Sequence, residues 1–217
     1  MTWNPRIATL GLLGLASCGG GSSGVSRGQP GGSCDTVSQS DVMPWEGIYQ
    51  MLSDTKNTTS CSSEGPSILA SQTQTFFFLR STTNILGESL WLLSCTDVAD
   101  CQSKRTQFDE SQASMGIGPP ATLLLFVQCK GPNGSLEDTV ASTGFSRSDG
   151  TCQSPSLSMD TLSHDASGNT RVEVRIQHGD TYEQVNGFCT TDAAYAASSG
   201  KPCTEYDVVV GKFVRGL

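Results

Sequence analysis

The sequence predicts one mainly β, antiparallel domain, a barrel or a sandwich with a meander of about 8–10 strands, one or two short helices and several disulfides. Three observations support this fold class. After residue 45 the apolar stretches are short and rich in β-branched or aromatic residues, turn dipeptides separate them, and eight cysteines are spread over the same region. Residues 34–217 contain no second linker and suffice for one domain with a core.

The predicted strands differ in how many of their faces are apolar. Residues 172–177, VEVRIQ, alternate strictly, which indicates one solvated face. Residues 76–79, 90–93, 123–127 and 208–210 are apolar without alternation, so a second layer or a lumen must cover their second face. The predicted strands are Gly47–Leu52, Thr73–Arg80, Ser89–Ser94, Thr122–Gln128, Leu136–Phe145, Leu157–Leu162, Thr170–Gln177, Thr181–Phe188 and Tyr206–Val214.

Capping residues mark two short helices. Thr190 or Thr191 can cap the segment DAAYAAS, and Gly200 supplies a left-handed stop. The segment CTDVADC resembles it, with Thr96 as the cap. Asn133-Gly134 predicts a type I′ hairpin turn because both residues tolerate a positive φ.

The chain has nine cysteines, an odd number for a secreted domain. Apart from Cys18, all lie in the predicted domain, where an oxidising compartment would pair them as four disulfides. A zinc site is disfavoured because tight CxxC pairs are absent and there are two histidines. Short loops suggest Cys95 with Cys101 and Cys189 with Cys203, and the remaining partners stay open. The eight candidates are Cys34, Cys61, Cys95, Cys101, Cys129, Cys152, Cys189 and Cys203.

The first seventeen residues have the organisation of a secretory signal peptide. A short start with Arg6 precedes an apolar run, Ile7–Ala16, that is far shorter than the roughly 20 residues of a membrane-spanning helix. The segment Leu15-Ala16-Ser17-Cys18 resembles the lipobox of bacterial lipoproteins at each of its four positions. This resemblance implies cleavage between Ser17 and Cys18, a diacylglycerol thioether on Cys18 and acylation of its amine, for instance by palmitate.

The resemblance divides the chain into a signal peptide (1–17), a lipidated cysteine with a Gly/Ser-rich tether (18–33) and a β-domain (34–217). The tether predicts a flexible link of about 20 Å. In enterobacterial lipoproteins an Asp after the cysteine favours the inner membrane. Gly19 therefore implies a lipid anchor in the outer membrane, on its periplasmic or cell-surface side.

Charge and motifs exclude several functions. Without Arg6, 12 basic residues face 21 acidic ones, a net charge of −9 that argues against nucleic-acid binding. No nucleophile elbow or phosphate-binding glycine loop is present. Residues 163–165, Ser-His-Asp, are neighbours in sequence and read as a loop, as does His178 before Gly179. Neighbouring carboxylates such as Glu137-Asp138 point to opposite faces of a strand and make no acid–base pair.

The first predicted strand is similar to the opening of lipocalins and related calycin barrels. Gly47 and Tyr49 match the Gly-x-aromatic spacing, although Tyr stands where that family has Trp, and Arg215 would be the basic partner near the last strand. The resemblance implies an apolar lumen for a small apolar ligand. Its possible contacts are Phe76, Phe78, Trp91 and Leu125.

The sequence thus favours a non-catalytic envelope lipoprotein that binds an envelope protein or has a structural role. One alternative is a lipocalin-like carrier of a small apolar ligand. A less favoured one is an envelope hydrolase in which His164 or His178 meets a carboxylate and a hydroxyl. No catalytic residue, cofactor or metal is predicted.

Overall fold

A computed structural model describes residues 34–84, 87–113 and 123–216. Twelve strands and three α-helices occur in this part of the chain. The helices are α1 (Gln39–Val42), α2 (Val98–Ala113) and α3 (Thr191–Ser198). The strands are β1 (Gly47–Asn57), β2 (Phe76–Asn84), β3 (Gly87–Cys95), β4 (Leu123–Phe126), β5 (Cys129–Lys130), β6 (Leu136–Ser142), β7 (Phe145–Ser146), β8 (Thr151–Gln153), β9 (Ser156–His164), β10 (Thr170–His178), β11 (Tyr182–Glu183) and β12 (Cys203–Arg215).

Nine strands form one antiparallel sheet that curls into a half-barrel. Their order is β4-β3-β2-β1-β12-β10-β9-β6-β5, and β11-β8-β7 form a small separate sheet. The mainly β, antiparallel fold class is therefore confirmed. The first and last strands of the large sheet in sequence, β1 and β12, are neighbours at its centre.

One stretch of chain, residues 123–130, forms the edge strand on both sides of the curled sheet. Its first part, β4, pairs with β3, and its second part, β5, pairs with β6. Between them the Val127 amide donates to the Glu88 carbonyl at 3.4 Å. Residues 35–37 then lie along β5, where the Val37 amide donates to the Gln128 carbonyl at 3.0 Å. The curl thus brings the two edges of the sheet close together.

The concave face of the half-barrel is filled by side chains. Buried residues from both halves of the sheet belong to one contact cluster, so opposite walls meet across the interior. Tyr49 stacks on Phe77 with ring centroids 5.0 Å apart, and its hydroxyl donates to the Trp45 carbonyl at 2.7 Å. The segment around α1 covers the end of the half-barrel where β1 begins, and its Val42 and Trp45 are buried there.

The convex face is covered by α2 and α3. Phe108 of α2 is buried against Phe78, Leu93 and Trp91, while Ala194 of α3 packs in a second cluster with β6 and β9. The prediction of a short helix at residues 95–101 is corrected, because α2 continues to residue 113. The predicted Thr96 cap is also corrected, since Asp97 Oδ1 accepts the Asp100 amide at 2.9 Å.

Two local predictions are confirmed. Thr190 caps α3, with its hydroxyl accepting the Ala193 amide, and Gly200 follows the helix at φ 77°. Asn133 and Gly134 both have a positive φ, 56° and 77°, between the paired strands β5 and β6. These positions are set by local chemistry, so the sequence alone identifies them.

The eight cysteines form four disulfides, Cys34–Cys129, Cys61–Cys203, Cys95–Cys101 and Cys152–Cys189. The predicted Cys95–Cys101 pair is confirmed. The predicted Cys189–Cys203 pair is wrong, because Cys203 begins β12 beside the loop after β1, whereas Cys189 lies against β8. The disulfide partners of Cys189 and Cys203 are therefore determined by long-range strand pairing and not by loop length.

Two predicted strands are shorter than expected. Residues 136–145 are interrupted after Ser142 by Gly144 at φ 70°, and the chain leaves the large sheet for the small one. Residues 181–188 contribute only β11 and a tight turn at Asn186-Gly187, where both φ values are positive. Positive φ breaks a strand, which explains both differences.

Candidate functional site

Strand register places a charged cluster on the concave face, at the end of the half-barrel opposite Trp45. Asp207 pairs with Val174 of β10, and Glu205 pairs with Ile176, two residues that pack against the concave core. Because antiparallel partners share a face, both carboxylates lie on the concave side. We call Asp54, Lys56, His178, Glu205 and Asp207 the charged end of the half-barrel.

Direct contacts join the members of the charged end. Lys56 Nζ lies 2.7 Å from Asp207 Oδ2 and 3.3 Å from Glu205 Oε2. His178 Nε2 lies 3.0 Å from Glu205 Oε1 on the other side. Gln72 donates to Asp54 Oδ2 at 2.6 Å. The five side chains of the charged end are therefore held in fixed positions, four by contacts with one another and Asp54 by Gln72, and all remain at least partly exposed.

The environment perturbs the titration of this cluster. Burial raises the pKa of Asp207 and of Asp54, and the hydrogen bonds from Lys56 and Gln72 offset this only in part. Burial alone would lower the pKa of Lys56, but its contacts with Asp207 and Glu205 raise it above its usual value. The hydrogen bond with His178 is the main cause that lowers the pKa of Glu205.

Deeper in the concave face, two carboxyl groups lie on neighbouring strands. Asp138 of β6 and Asp160 of β9 are direct register partners, and both are buried. Asp160 accepts from the Ser158 hydroxyl at 2.6 Å and from the Phe126 amide at 3.2 Å. Burial raises the pKa of Asp160 to about 7, and the nearby Asp138 charge adds to this effect.

The role of Asp160 is structural. Its carboxyl group accepts the amide of Phe126, the last residue of β4. A side chain of β9 thus connects to the backbone of β4, a strand at the other edge of the large sheet. A carboxyl group that is 3% exposed, with its oxygens bonded to protein, is not presented to a substrate.

The histidines singled out in the sequence lie apart from each other. His164 stacks on Trp45 with ring centroids 4.3 Å apart, and His178 contacts Glu205 in the charged end. Asp165 accepts the amides of Ser167 and Asn169 at 2.8 and 2.9 Å, as expected for a turn residue. The structure does not bring residues 163–165 together as a catalytic triad.

The four residues predicted to line an apolar lumen do not share one face. Phe76, Phe78 and Trp91 pack on the convex side beneath α2, whereas Leu125 belongs to the concave core. The prediction that these four residues line one common lumen is therefore corrected. The reason is that β2 and β3 are apolar on both faces, because helix α2 covers the second one.

The Gly-x-aromatic pair of the lipocalin resemblance lies at the closed end of the half-barrel. Gly47 allows a close approach, since a Cβ there would lie 2.6 Å from the Phe213 ring. Phe213 packs edge-on against Tyr49 with centroids 5.6 Å apart. Arg215, the expected basic partner, pairs in register with Ile48 and is exposed.

Several predicted features lie outside the described residues, namely the signal peptide, the cleavage site at Ser17 and the lipidated Cys18. Within the described ranges no helix has the length and apolar character needed to cross a bilayer. Those same ranges contain no group of three or more His, Cys, Asp or Glu side chains arranged to hold a metal ion.

Sequence reasoning missed both the charged end and Asp160. The signal for Asp160 is an acidic residue two positions before Leu162, on the face of β9 that points into the core. The charged end combines residues that are far apart in sequence, such as Lys56 and Asp207, which are separated by 151 positions. Only the pairing of β1 with β12 brings them together.

Comparisons with protein-family models, with curated proteins and with solved structures found no match for this chain.

Proposed function

We propose that this chain is a non-catalytic lipoprotein of the bacterial envelope, held in the membrane by a lipid on Cys18. The observation that carries the proposal is cysteine use. All eight cysteines of the β-domain are paired, so the ninth, Cys18, is the one left for the lipid that its lipobox context implies. Two or three acyl chains provide stable anchoring, whereas one gives a marginal hold.

The β-domain is suited to a rigid binding role. Four disulfides restrict the unfolded chain and protect the fold outside the cell. The charged end offers partly exposed acidic groups in fixed positions, with only Lys56 as a permanent cation among them. A basic surface of another envelope protein is the partner that complements this charge.

A carrier of a small apolar ligand is the second candidate, favoured by the curl of the sheet. The packing opposes it. Tyr49, Phe77 and Leu125 fill the concave face, each at most 2% exposed and all in one cluster with side chains of the opposite wall. A ligand would have to displace these contacts.

The anchor is tested by membrane fractionation of cells that express Cys18→Ser. We expect the parent in the membrane fraction and the variant without a lipid, lost from that fraction. Ser17→Ala is the matched control, since Ala satisfies the lipobox at this position and should leave anchoring unchanged. Membrane retention of the Cys18→Ser chain by the same extraction criteria would refute the lipid anchor.

Native mass spectrometry of the mature protein separates the two candidates. A mass equal to the lipidated polypeptide lacking eight hydrogens agrees with a filled, disulfide-bonded domain. An additional mass of a few hundred daltons that leaves on denaturation would favour the carrier, and the partner-binding proposal would be rejected in that case.

A further inference from the structure

The end of β12 is unusual in this acidic protein. Residues Lys212–Arg215 are exposed one after another, and Phe213 and Val214 expose 54% and 44% of their surface. None of the ion pairs among the described residues involves the two flanking residues, Lys212 and Arg215. Phe213 and Val214 thus expose apolar surface between two cations. These cations stand out because the whole chain carries a net charge of −8.

This segment extends past the end of β10 and, within the described part of the chain, leaves one of its own edges unpaired. Strand β10 pairs with β12 only as far as Gly211, whose partner is Thr170. Beyond Gly211, β12 continues along β1 alone, where Phe213 pairs with Tyr49 and Arg215 with Ile48. Phe213 packs on Gly47 and Tyr49, which holds the segment against β1. We call Lys212–Arg215 the β12 tip.

The β12 tip and the start of the described chain lie at the same end of the half-barrel. Cys34 is bonded to Cys129, next to the start of β6. Residues 38–46 then cross this end as α1 and a 3₁₀ turn and enter β1 opposite the tip. Cys34, the first described residue, therefore lies at the same end of the half-barrel as the tip.

We propose that the β12 tip docks on the surface of an anionic phospholipid bilayer, and that this bilayer is the one that holds the proposed lipid on Cys18. Only the second statement, that the bilayer is the one that holds Cys18, rests on the proposed function. Phe213 and Val214 would enter the interfacial region, and Lys212 and Arg215 would contact lipid phosphates. A tether of about 20 Å keeps the tip within reach of the surface. The charged end at the opposite side of the half-barrel then faces away from the membrane.

Tryptophan fluorescence tests this orientation. The full mature protein is reconstituted in vesicles of phosphatidylcholine and phosphatidylglycerol whose acyl chains carry bromine, which quenches tryptophan at the interface. The probe is Phe213→Trp, and the matched control is Phe188→Trp, because Phe188 is similarly exposed, 63%, but lies beside the small sheet. The parent protein supplies the background from its own tryptophans.

We expect bromine to quench the Phe213→Trp probe strongly and the Phe188→Trp probe no more than the background. Equal quenching of both probes would overturn the proposal. Replacing Lys212 and Arg215 by Gln should weaken docking about five-fold for each charge removed. A variant whose docking does not change would show that the cations take no part, which contradicts the proposed contact.

The failure of this inference is distinguishable from the failure of the lipid anchor. The intact mass of the purified protein reports whether Cys18 carries diacylglycerol. If it does not, flotation of the protein added to the same vesicles still measures binding by the tip. A dimer mass that disappears in Phe213→Asp, without vesicle binding, would assign the tip to contact between two copies and reject the membrane.

Discussion

The buried carboxyl group of Asp160 makes the stability of this protein depend on pH in a defined direction. Its pKa is about 7 in the folded state against 3.8 for an ordinary Asp, because burial disfavours the charged form. A raised acid pKa means that the folded state binds the proton more tightly than the unfolded state does. The contribution is therefore fully present below about pH 4 and is lost as the pH rises through 7.

The size of this effect follows from the two values. A pKa difference of about 3 corresponds to about 4 kcal/mol of unfolding free energy lost between pH 4 and pH 8. Asp160→Asn keeps the shape of the protonated group and its carbonyl oxygen can still accept the Phe126 amide, but it cannot ionise. We expect the variant to gain stability relative to the parent as the pH rises, by up to that amount at pH 8.

The assay is guanidinium unfolding of both proteins with disulfides intact, at pH values from 4 to 8. The difference between the two free energies reports Asp160 together with its coupling to Asp138, since the other titrating groups are common to both proteins. Asp35→Asn is the matched control, since it makes the same chemical change at an exposed position. A difference between the Asp160→Asn variant and the parent that stays constant over this range would refute the reasoning.

Two further predictions concern packing. Phe108→Ala should cost about 3–5 kcal/mol, because Phe108 is the fully buried aromatic of α2; urea unfolding measures the loss, and a change below 1 kcal/mol would contradict this packing role. Gly211→Ala should cost about 1–3 kcal/mol, because the new Cβ would lie 2.4 Å from the Phe77 ring. Gly216→Ala meets no atom within 4 Å and is the control, so equal melting temperatures for the two Ala variants would refute the predicted clash.

Local chemistry made part of the fold predictable. The Thr190 cap, the Asn133-Gly134 turn and the alternation of residues 172–177 each depend on a few neighbouring residues, and the structure confirms all three. The length of α2 was missed because its surface is almost wholly polar. Phe108 is its one large buried anchor in the second half, and that single residue gives no helical period.

Long-range contacts could not be predicted in the same way. The sequence cannot tell which strand covers the loop after β1, so the partner of Cys203 came out wrong. The same limit explains why Asp138 and Asp160, 22 positions apart, were not recognised as register partners. Their contact depends on the pairing of β6 with β9. These two strands are not joined by a short hairpin turn, because β7 and β8 of the small sheet lie between them in sequence.

The central position of β12 has a consequence for the order of folding. Its neighbours are β1 and β10, so the last strand of the described chain occupies the middle of the sheet. Until β12 pairs, the large sheet consists of two blocks, β4-β3-β2-β1 and β10-β9-β6-β5, which meet only at the edge stretch 123–130. Pairing residues so distant in sequence is slow, because the loop-closure entropy must be overcome first. We therefore expect assembly of the large sheet to finish with a closing step in which β12 joins the two halves.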